Sequence, residues 1–361
     1  MPTQRNKICF LLPDLSRGGA QRIMSFLAQN LDKNLFDCTL LIVNPPQNTD
    51  FKLENVNIKY LNKSRLLHAT YPLFKFLIKE RFHIVIGSIG HINMILGFYS
   101  LFLNKTKFVG REASLDTIIQ KYNKPKRSFG IGKFFRDYRN RLDAIICQSE
   151  DMALDAIQAY SLNKNKVFTV NNPLTISVPK DLNNSASNSQ KKLITVGRLS
   201  EEKGHKRILN VLSKIDLDWH YTIVGSGIEK DNIEQQIESL NISNKVTLIP
   251  HINNVTELLV DFDVFLQGSF VEGFPNATME SCAVGTPVVA FKAPGGTREI
   301  IQPSINGYLA DDQDEFSKFI KVALTEKDWD RKAISKSITS KFDSKLILSQ
   351  YENIFLSLTK N

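Results

Sequence analysis

Short runs of apolar residues alternate with longer amphipathic segments along the first half of this 361-residue chain. The apolar runs predict strands, and the segments between them have the spacing typical of helices. The predicted strands lie at residues 8–12, 38–43, 84–87, 107–110 and 144–148, and the predicted helices at residues 21–31, 71–79, 93–101 and 151–160. Because such continuous apolar runs are typical of parallel strands covered on both faces, the pattern predicts a doubly wound sheet.

The same alternation restarts after residue 192. Its predicted strands lie at residues 193–196, 220–224, 245–249, 264–267 and 287–291, and its predicted helices at residues 206–214, 228–240, 255–260 and 277–284. Residues 179–192, PKDLNNSASNSQKK, hold almost no apolar residue and suit a linker. We therefore predict an α/β chain with two Rossmann-like domains, at residues 1–178 and 193–361. We expect a final helix at residues 343–359 to return to the N-terminal domain.

The composition is typical of a soluble globular protein, since 42% of the residues are hydrophobic and 23% are charged. No run reaches the roughly 18 to 20 apolar residues that span a bilayer, and no signal peptide is expected before the first strand. The four cysteines are far apart and form no CxxC pair: Cys9, Cys38, Cys147 and Cys282. We expect buried thiols in a reducing cytoplasm.

The net charge of +9 is unevenly distributed, with +13 in residues 1–180 and −4 in residues 181–361. Residues 121–141, KYNKPKRSFGIGKFFRDYRNR, interleave eight basic residues and one acid with aromatic residues. This pattern suits an anionic membrane surface, although a nucleic-acid surface or a solvated basic face would use the same residue types. The candidate membrane or acceptor residues are Lys124, Lys126, Arg127, Lys133, Phe134, Phe135 and Arg136.

Residues 194–204, ITVGRLSEEKG, leave a predicted strand through Gly197 and present Arg198 and Lys203 beyond its carboxyl end. Ligands bind at that edge in open α/β sheets. The planar guanidinium of Arg198 and the ammonium of Lys203 are complementary to a diphosphate. The alternative is an ordinary charged surface loop.

Two further glycine turns follow predicted strands. Gly18 and Gly19, in LPDLSRGGAQR, precede a predicted helix whose backbone N–H groups could approach a phosphate. Gly225, in TIVGSG, lacks the third glycine of a dinucleotide fingerprint and by itself indicates a tight turn. An ordinary glycine loop is the alternative for the first of these.

Residues 272–291, EGFPNATMESCAVGTPVVAF, hold Glu272 before a turn and Glu280 in the helix that follows. Asn276 is a suitable N-cap, and Gly285 followed by Pro287 marks the helix end. Carboxylates in these positions can accept hydrogen bonds from the hydroxyls of a sugar and a ribose. The alternative is that an acid near a helix start stabilises only the helix.

Six motifs, in their order along the chain, resemble those of the retaining family-4 glycosyltransferases, which have the GT-B fold. VGRLSEEKG, VGSG, EGFPNATMESCAVGTPVVA, PGGTREII and NGYL resemble their C-terminal domain, and RGGAQR resembles the glycine loop of their N-terminal domain. The resemblance implies two Rossmann-like domains that face a central cleft. It implies a retaining transferase of the bacterial surface-polysaccharide or lipid-linked saccharide type, including those of lipopolysaccharide and capsule.

The resemblance also implies roles for individual residues. Arg198 and Lys203 would contact the pyrophosphate, Glu272 the transferred sugar and Glu280 the ribose. The backbone around the donor would be supplied by Gly18, Gly19, Gly197, Gly225, Gly273, Phe274, Asn276 and Ala277. Relatives carry a histidine after the strand that here continues as KFVGREAS, with Arg111 and Glu112, so His91 and Glu112 are the candidates for the N-terminal contact.

We expect no metal and no cofactor. Asp261–Asp263 and Asp216–Asp218 match an Asp-x-Asp string, but their positions indicate a structural acid and a loop.

The expected donor is a UDP-sugar, with GDP-mannose as competitor. The expected acceptor is a lipid-linked saccharide on the inner face of the cell membrane. The enzyme is expected to be cytoplasmic and to bind that face as a peripheral protein. The alternatives are a nucleotide-sugar 2-epimerase and a basic nucleic-acid-binding protein, although no nucleic-acid-binding motif is recognisable.

Overall fold

The computed structural model describes residues 5–16, 18–46, 53–119, 121–122, 138–179, 181–182, 190–250, 252 and 255–360. The chain divides into two compact units. Unit 1 consists of Met1–Thr117, Lys124–Thr175 and Ser344–Asn361, and unit 2 of Ile118–Asn123 and Ile176–Asp343. Part of the predicted linker, residues 180 and 183–189, lies outside the described residues.

Unit 1 is built from alternating strands and helices. Its strands are β1 (Asn6–Leu12), β2 (Phe36–Ile42), β3 (Asn57–Tyr60), β4 (Ile84–Ser88), β5 (Lys107–Arg111), β6 (Ala144–Cys147) and β7 (Val167–Thr169). Its helices are α1 (Gly19–Asn30), α2 (Leu66–Glu80), α3 (Gly90–Tyr99), α4 (Asp116–Ile119, of which Ile118 and Ile119 fall in unit 2), α5 (Tyr138–Arg141), α6 (Glu150–Tyr160) and the C-terminal helix. A 3₁₀ turn at Lys164–Lys166 precedes β7.

The seven strands of unit 1 form one parallel sheet in the order β3-β2-β1-β4-β5-β6-β7. Residues 8 to 12 of β1 are fully buried, as expected for a strand covered by helices on both faces. The strand order reverses between β1 and β4, which is the switch point where ligands bind in such sheets. The segments after β1 and β4 therefore leave the same edge side by side.

Unit 2 repeats this architecture. Its strands are β8 (Lys191–Val196), β9 (Trp219–Val224), β10 (Val246–Ile249), β11 (Val264–Gln267), β12 (Val288–Phe291) and β13 (Gly307–Ala310). Its helices are α7 (His205–Leu212), α8 (Lys230–Ser239), α9 (Val255–Leu259), α10 (Asn276–Ala283), α11 (Thr297–Ile300), α12 (Gln313–Lys321) and α13 (Arg331–Thr339). Shorter turns lie at Glu201–Lys203 and Ser243–Lys245, and a π-helical turn lies at Val322–Glu326.

The sheet of unit 2 is parallel throughout, in the order β10-β9-β8-β11-β12-β13. Its order reverses between β8 and β11, so the segments after these two strands meet at the switch point. The fold class predicted from the sequence, two Rossmann-like parallel-sheet domains, is confirmed.

The C-terminal helix α14 (Ser344–Thr359) belongs to unit 1. Tyr351 and Phe355 are fully buried there, and the Phe355 ring packs edge-on at 6.4 Å from Phe10 and 6.2 Å from Phe36. A buried aromatic side chain contributes several kcal/mol to stability, about 3–5 kcal/mol on truncation to alanine. The last helix is therefore part of the core of unit 1.

All four cysteines are buried free thiols, as predicted. Burial raises the pKa of the Cys38 thiol to about 11.

Within the described ranges, no helix combines the length and the apolar character that a bilayer crossing requires.

Candidate functional site

The segment after β8 presents Arg198 on the surface of unit 2. Its side chain is 74% exposed, and its guanidinium lies 3.4 Å from the buried carboxylate of Glu202. Ser200 donates to the same Glu202 oxygen at 2.6 Å. The segment thus fixes the base of Arg198 while its charge faces solvent, as a contact for an anionic ligand requires.

His205, the first residue of α7, makes a hydrogen bond to this segment. It is buried, and its Nε2 lies 2.9 Å from the carbonyl oxygen of Arg198. Burial lowers the pKa of His205, so the ring is neutral at pH 7 and donates from Nε2 to the carbonyl. His205 is therefore a positioning residue that the sequence motifs did not single out.

Lys203 and Glu272 form an ion pair, although they are 69 positions apart in the chain. The Lys203 ammonium lies 2.7 Å from Oε1 and 2.8 Å from Oε2 of Glu272. The Ser269 hydroxyl also donates to Oε1, at 2.5 Å. Since Glu272 is only 9% exposed and Lys203 23%, this pair is largely shielded from water. The structure thus brings two of the predicted site residues together and adds Ser269.

The PGGT segment fixes the backbone of Glu272. The Glu272 N–H donates to the carbonyl of Pro294 at 3.0 Å, and the Gly296 N–H donates to Gly273 at 3.0 Å. Gly295 has φ +110°, and a Cβ placed there would lie 1.6 Å from the Glu272 carbonyl oxygen. Position 295 therefore requires glycine both for its backbone conformation and for this close approach.

Helix α10 begins at Asn276, one residue earlier than predicted. The residue in the N-cap position is Pro275, which makes no side-chain capping bond, so the prediction that Asn276 is the N-cap is wrong. Proline fixes φ near the helical value, and here that residue leads directly into the first turn. Ala277 follows in that turn, and Glu280 is buried in the next one.

Hydrogen bonds connect α10 to β11 and α11. The Thr278 hydroxyl donates to the Gln267 side chain, which in turn donates to Thr297 Oγ1 at 3.0 Å. Phe274 is buried and packs edge-on against Phe342, with ring centroids 5.3 Å apart. The turn that carries Glu272 is thus anchored on both of its sides.

Arg207 ties the segment after β11 to α7. Its Nε donates to the Gly268 carbonyl at 2.6 Å, and an Nη2 group donates to the Ser269 carbonyl. The guanidinium lies 4.0 Å from the Phe270 ring centroid and 3.7 Å from that of Phe291. Burial lowers the pKa of Arg207 to about 10, so it stays cationic at neutral pH. Arg207 therefore fixes the backbone that presents Ser269 to Glu272.

The remaining donor-side glycines lie at the expected edges of the sheets. Gly18 precedes α1 and Gly19 is its first residue, while Gly197 follows β8 and Gly225 follows β9. The Gly225 N–H donates to the Ile249 carbonyl at 2.9 Å, and the Gly197 N–H donates to Val224 at 3.0 Å. The assigned donor contacts of these four glycines stay predictions.

In unit 1, His91 lies in the first turn of α3 and is exposed. Partial desolvation lowers the pKa of His91, and the negative charge of Asp14, in the segment after β1, partly opposes that shift. The residue before the helix, Ile89, has φ +87°, which is rare for a β-branched residue. His91 thus stands at the switch point of this sheet, on a strained turn.

The other N-terminal candidate, Glu112, is buried. Both of its carboxylate oxygens accept hydrogen bonds from Arg139, at 2.9 and 3.0 Å, and Arg139 also contacts Asp116 at 2.6 Å. The neighbouring Arg111 donates to the Tyr351 hydroxyl at 3.1 Å and to the side chain of Asn172. Of the two candidates, His91 is therefore the one that faces solvent.

The predicted membrane or acceptor residues lie outside the described residues: Lys124, Lys126, Arg127, Lys133, Phe134, Phe135 and Arg136.

Among the residues that are described, no group of three or more His, Cys, Asp or Glu side chains could hold a metal ion. In the Asp-x-Asp strings, Asp263 accepts the Lys192 N–H at 2.7 Å and Asp218 accepts the Gln190 amide at 3.0 Å. Metal independence stays a prediction.

Comparison with known families and proteins identifies relatives of the chain. Residues 179–339 match the family described as glycosyl transferases group 1. An uncharacterized glycosyltransferase of Haemophilus influenzae is 32% identical over 44% of each chain. The Campylobacter jejuni N-acetylgalactosamine-N,N'-diacetylbacillosaminyl-diphospho-undecaprenol 4-alpha-N-acetylgalactosaminyltransferase is 25% identical over 87% of this chain and 88% of its own.

Solved structures share the fold. The lipopolysaccharide outer core galactosyltransferase WaaB, in its apo form, superposes with a TM-score of 0.77 at 18% identity, covering 97% of this chain and 99% of that one. Anabaena Alr3699/HepE, in complex with UDP and glucose, gives a TM-score of 0.78 at 18% identity over 98% and 100% of the two chains. The epimerase alternative finds no support in these comparisons. Residues 179–339 therefore belong to the glycosyl transferases group 1 family, and the chain is a glycosyltransferase with the GT-B fold.

Proposed function

We propose that the chain transfers a sugar from a UDP-sugar to a lipid-linked saccharide acceptor, with retention of the anomeric configuration. The observation that carries this proposal is the shielded Lys203–Glu272 ion pair, whose lysine lies in the same segment after β8 as the exposed Arg198, at the switch point of unit 2. It places two cations and a carboxylate where a nucleoside diphosphate and a sugar can be recognised together.

The ion pair suggests how the donor enters. The diphosphate of the donor competes with Glu272 for the Lys203 ammonium, because phosphate oxygens also accept charge-assisted hydrogen bonds. Glu272, still bound by Ser269, then accepts a hydrogen bond from a sugar hydroxyl. The bond between the anomeric carbon and the diphosphate oxygen breaks, and Arg198, Lys203 and helix N-termini stabilise the charge that develops on the leaving diphosphate. The acceptor hydroxyl attacks the anomeric carbon from the same face and gives its proton to the departing phosphate oxygen.

Relatives support the choice of donor and acceptor. The C. jejuni relative is named for transfer of N-acetylgalactosamine to a diphospho-undecaprenol saccharide, and a Staphylococcus aureus relative is a poly(ribitol-phosphate) alpha-N-acetylglucosaminyltransferase. The HepE structure contains UDP and glucose. We therefore propose a UDP-hexose or UDP-N-acetylhexosamine as donor, no metal or other cofactor, no nucleic-acid partner, and an anionic membrane surface at the inner face of the cell membrane.

A donor panel tests this function. The purified chain is incubated with UDP- and GDP-sugars in the presence of EDTA, and release of nucleoside diphosphate is measured with and without lipid-linked saccharides. We expect one UDP-sugar to be consumed, faster with an acceptor, and the new linkage to show retention by NMR. Turnover of GDP-mannose alone, a requirement for added divalent metal, or conversion of the donor to its epimer would contradict the proposal.

Gly295→Ala is expected to lower turnover by about tenfold to a hundredfold. The added methyl group would overlap the Glu272 carbonyl, so the backbone of Glu272 must shift, and displacements near 1 Å are this costly in active sites. Steady-state kinetics measure the effect. Gly285→Ala is the matched control, because Gly285 also has a positive φ of +82° but a Cβ there would meet Arg331 rather than Glu272, so turnover should stay within about twofold. Equal effects of the two changes would contradict the positioning role of Gly295.

A further inference from the structure

An exposed apolar surface lies on α2 and at the end of α3 in unit 1. Its six large side chains, with their exposed fractions, are Leu67 (78%), Tyr71 (65%), Ile78 (49%), Phe98 (38%), Leu101 (52%) and Phe102 (59%). They are six of the eleven large hydrophobic side chains that are exposed in the described part of the chain. Scattered exposed hydrophobics are ordinary, but a concentration of this kind marks an interaction site. We call it the α2–α3 surface.

Helix α2 is apolar on two of its faces. One face carries Ala69, Leu73 and Leu77, which are buried in unit 1. The other carries Leu67 and Tyr71, one turn apart and both exposed. Since the core of the unit needs only the first face, the second requires a different explanation.

Aromatic contacts join α2 to the end of α3. The Phe74 ring lies 5.2 Å from Tyr99 and 6.2 Å from Phe102, and Phe98 lies 5.2 Å from Phe102. The Tyr99 hydroxyl donates to the Thr70 carbonyl. Phe74 lies at helical spacing from Tyr71 and Ile78, so these contacts connect the exposed residues of α2 to Phe98 and to Phe102 in the turn after α3.

The stretch of sequence that carries this surface is strongly basic. Residues 55–110 contain one acid, Glu80, and eight cations, namely Lys59, Lys63, Arg65, Lys75, Lys79, Arg81, Lys105 and Lys107. Lys75 and Lys79 are exposed on α2 itself, and the Lys75 ammonium lies 4.7 Å from the Tyr71 ring centroid. Aliphatic and aromatic side chains surrounded by lysines are what an anionic bilayer surface binds, with the rings among the headgroups and the ammonium groups on the phosphates.

We propose that the α2–α3 surface docks the enzyme on anionic phospholipid. The proposal deepens the membrane association included in the proposed function and assigns it to α2 and the end of α3. Vesicle binding requires no sugar transfer. Its failure can therefore be distinguished from failure of the proposed reaction.

The first test removes apolar side chains from the full-length chain. A triple variant, Leu67→Ser, Tyr71→Ser and Phe102→Ser, is compared with a matched variant, Leu154→Ser, Ile228→Ser and Ile305→Ser, whose side chains are 57%, 90% and 49% exposed elsewhere. Flotation with phosphatidylglycerol-containing vesicles measures partitioning. We expect the first variant to bind at least about tenfold more weakly and the control to bind like the parent chain.

The second test removes charge and leaves the apolar residues in place. Lys75→Gln with Lys79→Gln should weaken binding to these vesicles by about fivefold per cation and leave the weak binding to phosphatidylcholine vesicles unchanged. Lys332→Gln with Lys336→Gln, two exposed lysines on α13, is the control of equal charge. All four variants should keep the melting temperature of the parent chain and its turnover on a water-soluble acceptor.

Two results would overturn the proposal. In the first, the triple variant floats like its control, whereas neutralising Lys124, Lys126, Arg127, Lys133 and Arg136 abolishes binding. In the second, sedimentation shows a dimer that the triple variant converts to monomer while vesicle binding persists. The surface would then be a contact between two copies of the chain.

Discussion

Glu272→Gln is expected to lower kcat by about a hundredfold to a thousandfold while the chain stays folded. The change keeps the shape of the side chain but removes the charge that receives hydrogen bonds from Lys203 and Ser269. Losses of this size follow the removal of one preorganised electrostatic contact in other active sites. Because the carboxylate is assigned to the sugar, the donor KM should change much less than kcat.

Lys203→Met should change both parameters. It removes the proposed charge-assisted hydrogen bond to the diphosphate, worth about 1.5–3 kcal/mol, which corresponds to roughly tenfold to a hundredfold in donor affinity. It also leaves the shielded Glu272 carboxylate without its cation, so that carboxylate repels the incoming diphosphate. Isothermal titration with the donor and steady-state kinetics separate the two contributions.

The double variant tests whether the two residues act as a pair. If they do, Glu272→Gln with Lys203→Met should cost less than the two single effects added together. Lys230→Met provides the control, because Lys230 and Glu234 form an exposed pair on α8 in the same unit, 3.3 Å apart. Additive single effects, or a comparable loss in Lys230→Met, would contradict the assignment of this site.

The sequence predicted the strands best where they are buried on both faces. The prediction for β11 matches at both ends, at residues 264–267, because every residue of that strand is buried and apolar or amide. The prediction missed β3, whose residues alternate between exposed and half-buried at the sheet edge, and β7, which has three residues. Short strands at an edge carry too few apolar residues to produce a pattern.

The sequence singled out Lys203 and Glu272 but could not show that they form an ion pair. Lys203 and Glu272 come from different strand-to-helix segments, so no local pattern shows that they meet. No local sequence pattern distinguishes Ser269 or Arg207, because a serine after a strand and an arginine in a helix are both common. Their roles appear only when the fold brings β8 and β11 side by side.

Glu112→Ala is expected to lower the free energy of unfolding by about 3–5 kcal/mol, the usual cost of leaving one member of a buried ion pair alone. Glu112 and Arg139 are 6% and 5% exposed, so the guanidinium would lose its main partner inside the protein. The nearby Asp116, which is 31% exposed, compensates only partly. Urea unfolding monitored by circular dichroism measures the change.

The same variant decides what Glu112 does. If the ion pair is structural, the folded fraction of Glu112→Ala keeps most of its turnover, and Glu112→Met with Arg139→Leu recovers part of the lost stability, since no buried charge is then left alone. Lys107→Ala is the control, because Lys107 and Asp143 form a more exposed pair in unit 1, 3.3 Å apart, worth about 1 kcal/mol or less. A variant with unchanged stability and little turnover would instead assign Glu112 to the sugar, because a carboxylate that binds substrate contributes to the transition state rather than to the fold.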